Sequence, residues 1–187
     1  MLLLRLYLFA GLVLHKLVWE FLRHRSDEKP VESTSTALSA IKAVKVAILL
    51  GVIVQTMLPE IFPISDDPFV LRIIGTSIYS LGLLTAIAAR FQLGENWANI
   101  ETGQVLRKQN VVARGVYQYI RHPIYVGDLL LLFGLEMALN SWFVAGVAML
   151  VPVVAWKAIK EERMLGDSLP GYDAYCGRTK RFIPFVV

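Results

Sequence analysis

The residues with the clearest chemical potential lie in YIRHPIYVG, residues 119–127, at the start of an apolar run. Within five positions, Arg121, His122 and Tyr125 supply a cation, an imidazole and a phenol. Pro123 suits the first turn of a helix, where its missing N–H is harmless. The stretch therefore predicts a helix start at a membrane boundary, and its side chains serve either as interfacial anchors or as part of a site.

A second cluster, KAIKEER, follows the next apolar run at residues 157–163. Lys157 and Glu161 are four residues apart and share a helical face, and Glu162 and Arg163 follow directly. Such pairs at a solvated helix end contribute little by themselves. However, the two clusters lie at opposite ends of one helical hairpin and must therefore be close in space. Together they predict a polar pocket at the membrane boundary, suited to a polar cofactor and an apolar substrate.

Two acids lie inside the apolar run itself. Asp128 follows Tyr125 by three residues and can share its helical face, whereas Glu136 lies deeper. An acid in a membrane span is costly and usually faces the protein interior, a partner or a cavity. Each is therefore either a structural hydrogen-bond partner or a functional acid.

Long apolar runs are the elements that must position these residues. The 187-residue chain is 56% hydrophobic and 18% charged, whereas soluble domains have about 45–50% apolar and about 25% charged residues. We predict an all-α integral membrane protein with about five transmembrane helices in a single membrane domain, residues 1–187. The predicted spans are 1–22, 37–58 and 69–89, and the core 91–187 contains a hairpin, 124–139 and 143–160. The two hairpin runs are short for full spans. They either cross the bilayer by extending into their polar flanks or insert into it only partly.

The loops differ in charge. Residues 23–36, residues 90–121 and the tail are basic, and residues 59–68 are acidic without Lys or Arg. Positive loops mark the cytoplasmic side, so the loop before the hairpin and the C-terminal tail should form a cytoplasmic cofactor site. The net charge of +4 fits anionic membrane lipids as partners better than nucleic acid. A single cysteine and three scattered histidines predict no metal site.

The motifs resemble one family. VVARGVYQYIRHPIYVG, followed by EERML and then GYDAYCGRTKRFIP, is similar to the isoprenylcysteine carboxyl methyltransferase family, whose wider relatives include membrane phospholipid methyltransferases. The resemblance covers residues 93–185. It implies a prokaryotic homologue, a protein-S-isoprenylcysteine O-methyltransferase that uses S-adenosylmethionine. It also implies no Rossmann domain, and no GxGxxG turn after a strand is found. The implied acceptor is the α-carboxylate of a prenylated cysteine or another lipid-like molecule.

The resemblance also implies roles for individual residues. Those expected to bind the cofactor are Gln109, Asn110, Val111, Val112, Tyr117, His122, Pro123, Ile124, Tyr125, Glu161 and Glu162. Those expected to be catalytic are His122, Glu161, Lys157 and Arg163, with Glu161 preferred over Glu162 on the cofactor side. Lys157, Arg163 or Arg121 would hold the acceptor carboxylate. Relatives often carry His at position 109, Leu at 111 and Arg at 157, and these departures leave the acceptor open.

Three alternatives remain. A phospholipid amine acceptor would need a base to remove a proton from an ammonium, and Asp128 or Glu136 would be the candidates. An NADPH-dependent sterol-type reductase shares the pattern RHPxY but usually ends in a Pro-x-x-Tyr-like motif, whereas this chain ends RFIPFVV. A non-catalytic scaffold that binds anionic lipid explains the basic charges but not the joint spacing of the motifs.

Overall fold

The computed structural model describes residues 1–25, 36–58, 60–96 and 110–184. Within these ranges, the α-helices are α1 (Leu2–Arg25), α2 (Thr36–Met57), α3 (Phe69–Leu93), α4 (Pro123–Ala138), α5 (Phe143–Ser168) and α6 (Tyr172–Arg178). Short 3₁₀ turns cover Gly94–Asn96 and Gly115–Gln118. The described residues form no β-strand, only two isolated bridges. The predicted all-α class is confirmed.

Within the described residues, three helices, α1, α3 and α5, are long and apolar enough to cross a membrane. The helix α5 does not stop with its apolar residues but continues through KEERML to residue 168, because these polar residues are good helix formers. It therefore has 26 residues, or about 39 Å. The helix α4 has only 16 residues, about 24 Å against a hydrocarbon core of about 30 Å. The composition and these helices make the chain an integral membrane protein.

The helices α3 and α4 pack with their backbones in contact. A Cβ atom added to Gly82 would collide with the backbone of Leu131, and one added to Gly134 would collide with the backbone of Tyr79. Small residues permit such close approach between membrane helices. This packing fixes the rotation of α4 and hence the direction in which the residues at its start point.

The helix α1 packs on α3 and α4 through a core cluster that includes Leu8, Leu12, Tyr79 and Leu135. The Tyr79 hydroxyl is buried in this core and donates a hydrogen bond to the Leu8 carbonyl, 2.6 Å away. The contact satisfies a phenol that would otherwise be costly in an apolar interior. It holds α1 beside the other two helices.

At the end of α4 away from His122, a polar network ties the 60–68 loop to the α4–α5 turn. Asn140, in the left-handed region at φ 58°, accepts from the backbone N–H of Ser65 at 3.0 Å and donates to Glu60 at 2.7 Å. Glu136 is buried and accepts from the Gln55 side chain at 2.8 Å. It lies fourteen residues beyond His122, about 21 Å along the helix. Glu136 therefore belongs to this network, remote from the motif at the start of α4.

Candidate active site

The segment before α4 lies against the C-terminal tail. The backbone N–H of Arg121 donates to the Lys180 carbonyl at 2.8 Å, and that of His122 donates to the Arg181 carbonyl at 3.2 Å. The Lys180 N–H in turn donates to the Tyr119 carbonyl at 3.0 Å. These bonds form a short parallel bridge between Ile120 and Lys180. The tail and the loop are thus side by side, and both border the end of α5.

Glu162 joins three segments of the chain. Its carboxylate is 2.8 Å from Arg121 Nε, 3.0 Å from His122 Nε2 and 2.7 Å from Arg181 Nη2. Only 11% of its side chain is exposed. Charge-assisted hydrogen bonds of this kind are stronger than neutral ones. Because α5, the segment before α4 and the tail each contribute a group, the Glu162 cluster holds these three segments together.

Glu161, the neighbouring residue, faces a different environment. It accepts a hydrogen bond from the Tyr125 hydroxyl at 3.0 Å, and His122 Nδ1 lies 3.8 Å away. The Lys157 ammonium lies 5.8 Å from the centre of the Tyr125 ring. Unlike Glu162, Glu161 has no guanidinium within hydrogen-bond distance among the described residues. Its carboxylate therefore retains hydrogen-bonding capacity for a ligand.

Aromatic rings line the same place. The His122 and Tyr125 rings stack with centroids 5.4 Å apart and planes 13° apart. Phe182, from the tail, lies 5.8 Å from the His122 ring. A cation over the Tyr125 or Phe182 ring is attracted by the electron-rich face of that ring. The carboxylate and rings together form a surface suited to a cationic group.

Tyr117 is buried beside this surface, and its carbonyl accepts from the Tyr175 hydroxyl at 2.8 Å. Burial, reinforced by Tyr175 and Glu161, raises the pKa of Tyr117 far above its usual value. Its phenol is therefore neutral at physiological pH. The turn before it is fixed by Gln92, which accepts from the Val116 N–H at 2.8 Å and fills the space over Gly115.

The other predicted cofactor residues belong to the sequence segment 109–112 and to the first turn of α4. Gln109 lies outside the described residues. The Asn110 N–H donates to the Asn96 side chain at 2.7 Å, and Val111 packs against a small core that includes Tyr172 and Tyr175. The remaining members are Val112, Pro123 and Ile124, of which Pro123 is buried and the other two are half-buried.

The three residues predicted to bind an acceptor carboxylate differ in their exposure and their contacts. Lys157 is half-buried and borders the Tyr125 ring, whereas Arg163 is exposed. Arg121 is engaged internally, with Glu162 and with the carbonyls of Cys176 and Thr179 at 3.1 and 2.5 Å. Of the three, Lys157 is the one that borders the aromatic surface.

Sequence reasoning did not assign roles to Arg181 and Phe182. Both lie in the tail motif RTKRFIP, which carried the resemblance without individual functions. It also did not pair Asp128 with His15, whose Nε2 lies 2.9 Å from Asp128 Oδ1. The partner of Asp128 is thus on α1, not in the His122 motif. The residues next to Asp128 in the sequence do not indicate its contact with His15, which lies 113 positions earlier.

Comparison with known proteins gives one family match, described as phospholipid methyltransferase, over residues 70–168. The chain is also 30% identical to the protein-S-isoprenylcysteine O-methyltransferase of Schizosaccharomyces pombe, over 57% of this chain and 46% of that protein. These matches confirm the predicted relationship.

Two bacterial relatives are named as metal-resistance proteins. The cobalt-zinc-cadmium resistance protein CzcN of Cupriavidus metallidurans is 36% identical over 42% of this chain and 38% of its own length. The nickel-cobalt-cadmium resistance protein NccN of Alcaligenes xylosoxydans xylosoxydans is 26% identical over 59% and 52%. The chain thus spans about half or less of the length of these relatives. In the part of the chain that the structure describes, no group of His, Cys, Asp and Glu could hold a metal ion.

Proposed function

Because this chain belongs to the phospholipid methyltransferase family, we propose that it transfers a methyl group from S-adenosylmethionine to the α-carboxylate of a prenylated cysteine. The similarity to the fission yeast enzyme supports this acceptor. The reaction would take place at the membrane interface. The basic loops that border the motif support a cytoplasmic site.

The residues present fit this cofactor. When bound, S-adenosylmethionine supplies an electrophilic methyl group on a positively charged sulfur. The rings of Tyr125 and Phe182 suit a cation, a contact worth about 0.5–2 kcal/mol. Glu161 can accept a hydrogen bond from an amino or hydroxyl group. Asn110, Val111, Val112 and Tyr117, together with Gln109, would border the adenosine.

The acceptor needs little activation. A C-terminal carboxylate has a pKa of about 3.3–3.7 and is ionised at neutral pH, so no general base is required. Lys157 would hold this carboxylate at the edge of the Tyr125 ring. The apolar surroundings would exclude water. A site with little water destabilises the separate sulfonium and carboxylate charges. It destabilises the transition state less, because the two charges partly neutralise each other there. Positioning by α4 and α5 would supply the remaining acceleration.

The observation that supports the proposal most is the difference between two adjacent carboxylates. Glu162 is surrounded by Arg121, His122 and Arg181 and is used to join the chain segments. Among the described residues, Glu161 accepts one hydrogen bond, from Tyr125, and it faces the stacked rings. A carboxylate beside aromatic rings is suited to bind a cationic cofactor. The adjacent Glu162 cluster would hold this carboxylate in position.

The proposal is tested with purified protein in lipid, S-adenosylmethionine carrying a labelled methyl group, and N-acetyl-S-farnesylcysteine. We expect label in a base-labile methyl ester. Cofactor binding without ester formation would reject the prenylcysteine acceptor. Absence of cofactor binding would reject methyl transfer at this site.

A phospholipid amine is the second candidate acceptor, and the family match favours it. This reaction needs a base to free the amine lone pair. Glu136 is buried in the network at the other end of α4, so only Asp128 remains of the two predicted bases. N-methylation would yield a base-stable product from phosphatidylethanolamine, which the same labelled assay distinguishes from an ester.

A further inference from the structure

A polar pair joins two apolar helices one turn below the aromatic surface. His15 of α1 and Asp128 of α4 are 2.9 Å apart, and their side chains are 23% and 40% exposed. His15 Nε2 and Asp128 Oδ1 share a hydrogen bond. The His15 ring stacks on Trp19 with centroids 4.1 Å apart. Ionisable residues within membrane helices usually face a partner or a cavity and mark substrate or ion pathways.

The pair is poorly explained as a structural link. The helix α1 is already held by the Leu8–Tyr79 contact in the core. The carboxylate that does join segments, Glu162, is far less exposed and is held by two guanidiniums and by the His122 ring. Among the described residues, His15 is the one hydrogen-bond partner of Asp128, through Oδ1. The second oxygen of Asp128 is therefore able to accept a hydrogen bond from a ligand.

The position of Asp128 relates it to the proposed reaction. It follows Tyr125 by three residues, a rise of about 4.5 Å along the helix. Tyr125 borders Lys157, where the acceptor carboxylate is proposed to lie. Leu132, four residues after Asp128 and therefore on the same helical face, is half-buried and apolar. A ligand along this side of α4 would thus meet a cation, then a carboxylate, then apolar side chains.

A prenylated cysteine presents matching groups in the same order. Its carboxylate and its amide N–H are attached to one carbon, and its isoprenoid tail follows through the sulfur. We propose that Asp128, oriented by His15, selects the acceptor by accepting a hydrogen bond from the N–H beside the methylated carboxylate. This inference rests on the proposed function. It assigns Asp128 to substrate recognition, and it makes His15 and Trp19 positioning residues for Asp128.

The test compares two acceptors that differ in this N–H. N-acetyl-S-farnesylcysteine carries it, and S-farnesyl-3-thiopropionate has the same carboxylate and tail without it. We expect kcat/KM of the natural chain to favour the first by about 10-fold or more, since a carboxylate left without its donor is costly. In Asp128→Leu the ratio should fall to within about 3-fold. Asp66→Asn, an exposed change in the 60–68 loop, should keep the natural ratio.

A ratio near one in the natural chain, or an unchanged ratio in Asp128→Leu, would overturn the inference. A general structural defect would lower both kcat/KM values together and leave their ratio unchanged.

A second measurement does not depend on turnover, so it separates this inference from the proposed function. The chain has three histidines, and ring ¹⁵N signals can be assigned by loss of the His15 signal in His15→Gln. N-acetyl-S-farnesylcysteine should shift the His15 signal, and S-farnesyl-3-thiopropionate should shift it less. This result without any ester formation would reject the methylation reaction and keep the recognition site. Equal or absent shifts would reject the recognition site itself.

Discussion

At the scale of single residues, Glu161 and Glu162 are adjacent in sequence but differ in environment. Neighbouring side chains on an α-helix point about 100° apart, so one carboxylate meets the tail and the other meets Tyr125. Glu162 has partners from two other segments, whereas Glu161, among the described residues, accepts one hydrogen bond, from Tyr125. The first supports the structure, and the second is proposed to bind the cofactor.

Replacing each carboxylate should therefore have a different result. Glu161→Gln should reduce methyl transfer by about 100-fold or more, as removal of a charged group at a reacting centre does, and should leave the melting temperature in detergent nearly unchanged. Glu162→Gln should destabilise the protein by about 3 kcal/mol, because two guanidiniums lose their counter-charge. Thermal unfolding and the labelled-methyl assay measure both effects. The opposite pattern would contradict the assignment of the two residues.

Contacts between individual side chains were predicted least completely from the sequence. The resemblance selected His122, Tyr125, Glu161 and Lys157, and these four do lie together. It did not indicate that Arg181 would reach Glu162, because no local pattern encodes a contact between a tail and a helix. Asp128 illustrates the same point, since its helical face was predictable but its partner on α1 was not.

At the scale of elements, hydropathy predicted the helices well and their ends less well. The runs 37–58 and 69–89 overlap α2 and α3 closely. The run ending at residue 160 became a helix that continues to residue 168, because KEERML favours helix and Leu165 is buried against α6. Apolar content marks the part of a helix inside the membrane, and tertiary packing decides how far the helix extends beyond it.

The contact between α3 and α4 provides a prediction with an internal control. Gly134→Ala would place a Cβ against the backbone of α3, whereas Gly146→Ala on α5 meets nothing within 4 Å. The first variant should lower the melting temperature and the rate of methyl transfer together, since it displaces the helix that starts at His122. The second should leave both unchanged or slightly raise stability, because alanine favours helix over glycine.

Equal behaviour of these two glycine variants in thermal unfolding would show that the close α3–α4 contact does not hold α4 in place. The comparison is matched, because each variant adds one methyl group to a glycine in an apolar helix. Only the surroundings of the added carbon differ.

The short helix α6 carries the single cysteine, which reports on the packing of the tail. Burial raises the pKa of the Cys176 thiol, so less thiolate is present at pH 8 than for an ordinary thiol. We expect iodoacetamide to modify the folded protein at least about 10-fold more slowly than the unfolded chain. Equal rates would show that the tail does not pack on α5 as described. The rate is followed by mass spectrometry.

At the scale of the whole molecule, two polar regions lie at opposite ends of an apolar bundle. One contains the Glu162 cluster and the tail, and the other contains Asn140 and the 60–68 loop. The distribution of basic loops predicts that the first faces the cytoplasm. The family relationship and these features agree on a membrane methyltransferase.

This orientation is testable with single cysteines in a Cys176→Ser background. Asp66→Cys lies in the 60–68 loop and Asp173→Cys lies on α6, and both positions are exposed. In intact cells a membrane-impermeant maleimide should label the first and should label the second only after permeabilisation. Labelling of the α6 position in intact cells would place the site on the other side of the membrane.

Glu161 and its aromatic neighbours are proposed to form the methyl-transfer site. The most direct measurement compares the natural chain with Glu161→Gln, both in lipid, for transfer of labelled methyl from S-adenosylmethionine to N-acetyl-S-farnesylcysteine. We expect a base-labile ester from the natural chain and at least about 100-fold less from the variant, which should have an equal melting temperature. Wild-type activity in Glu161→Gln, or no ester from the natural chain, would contradict this proposal.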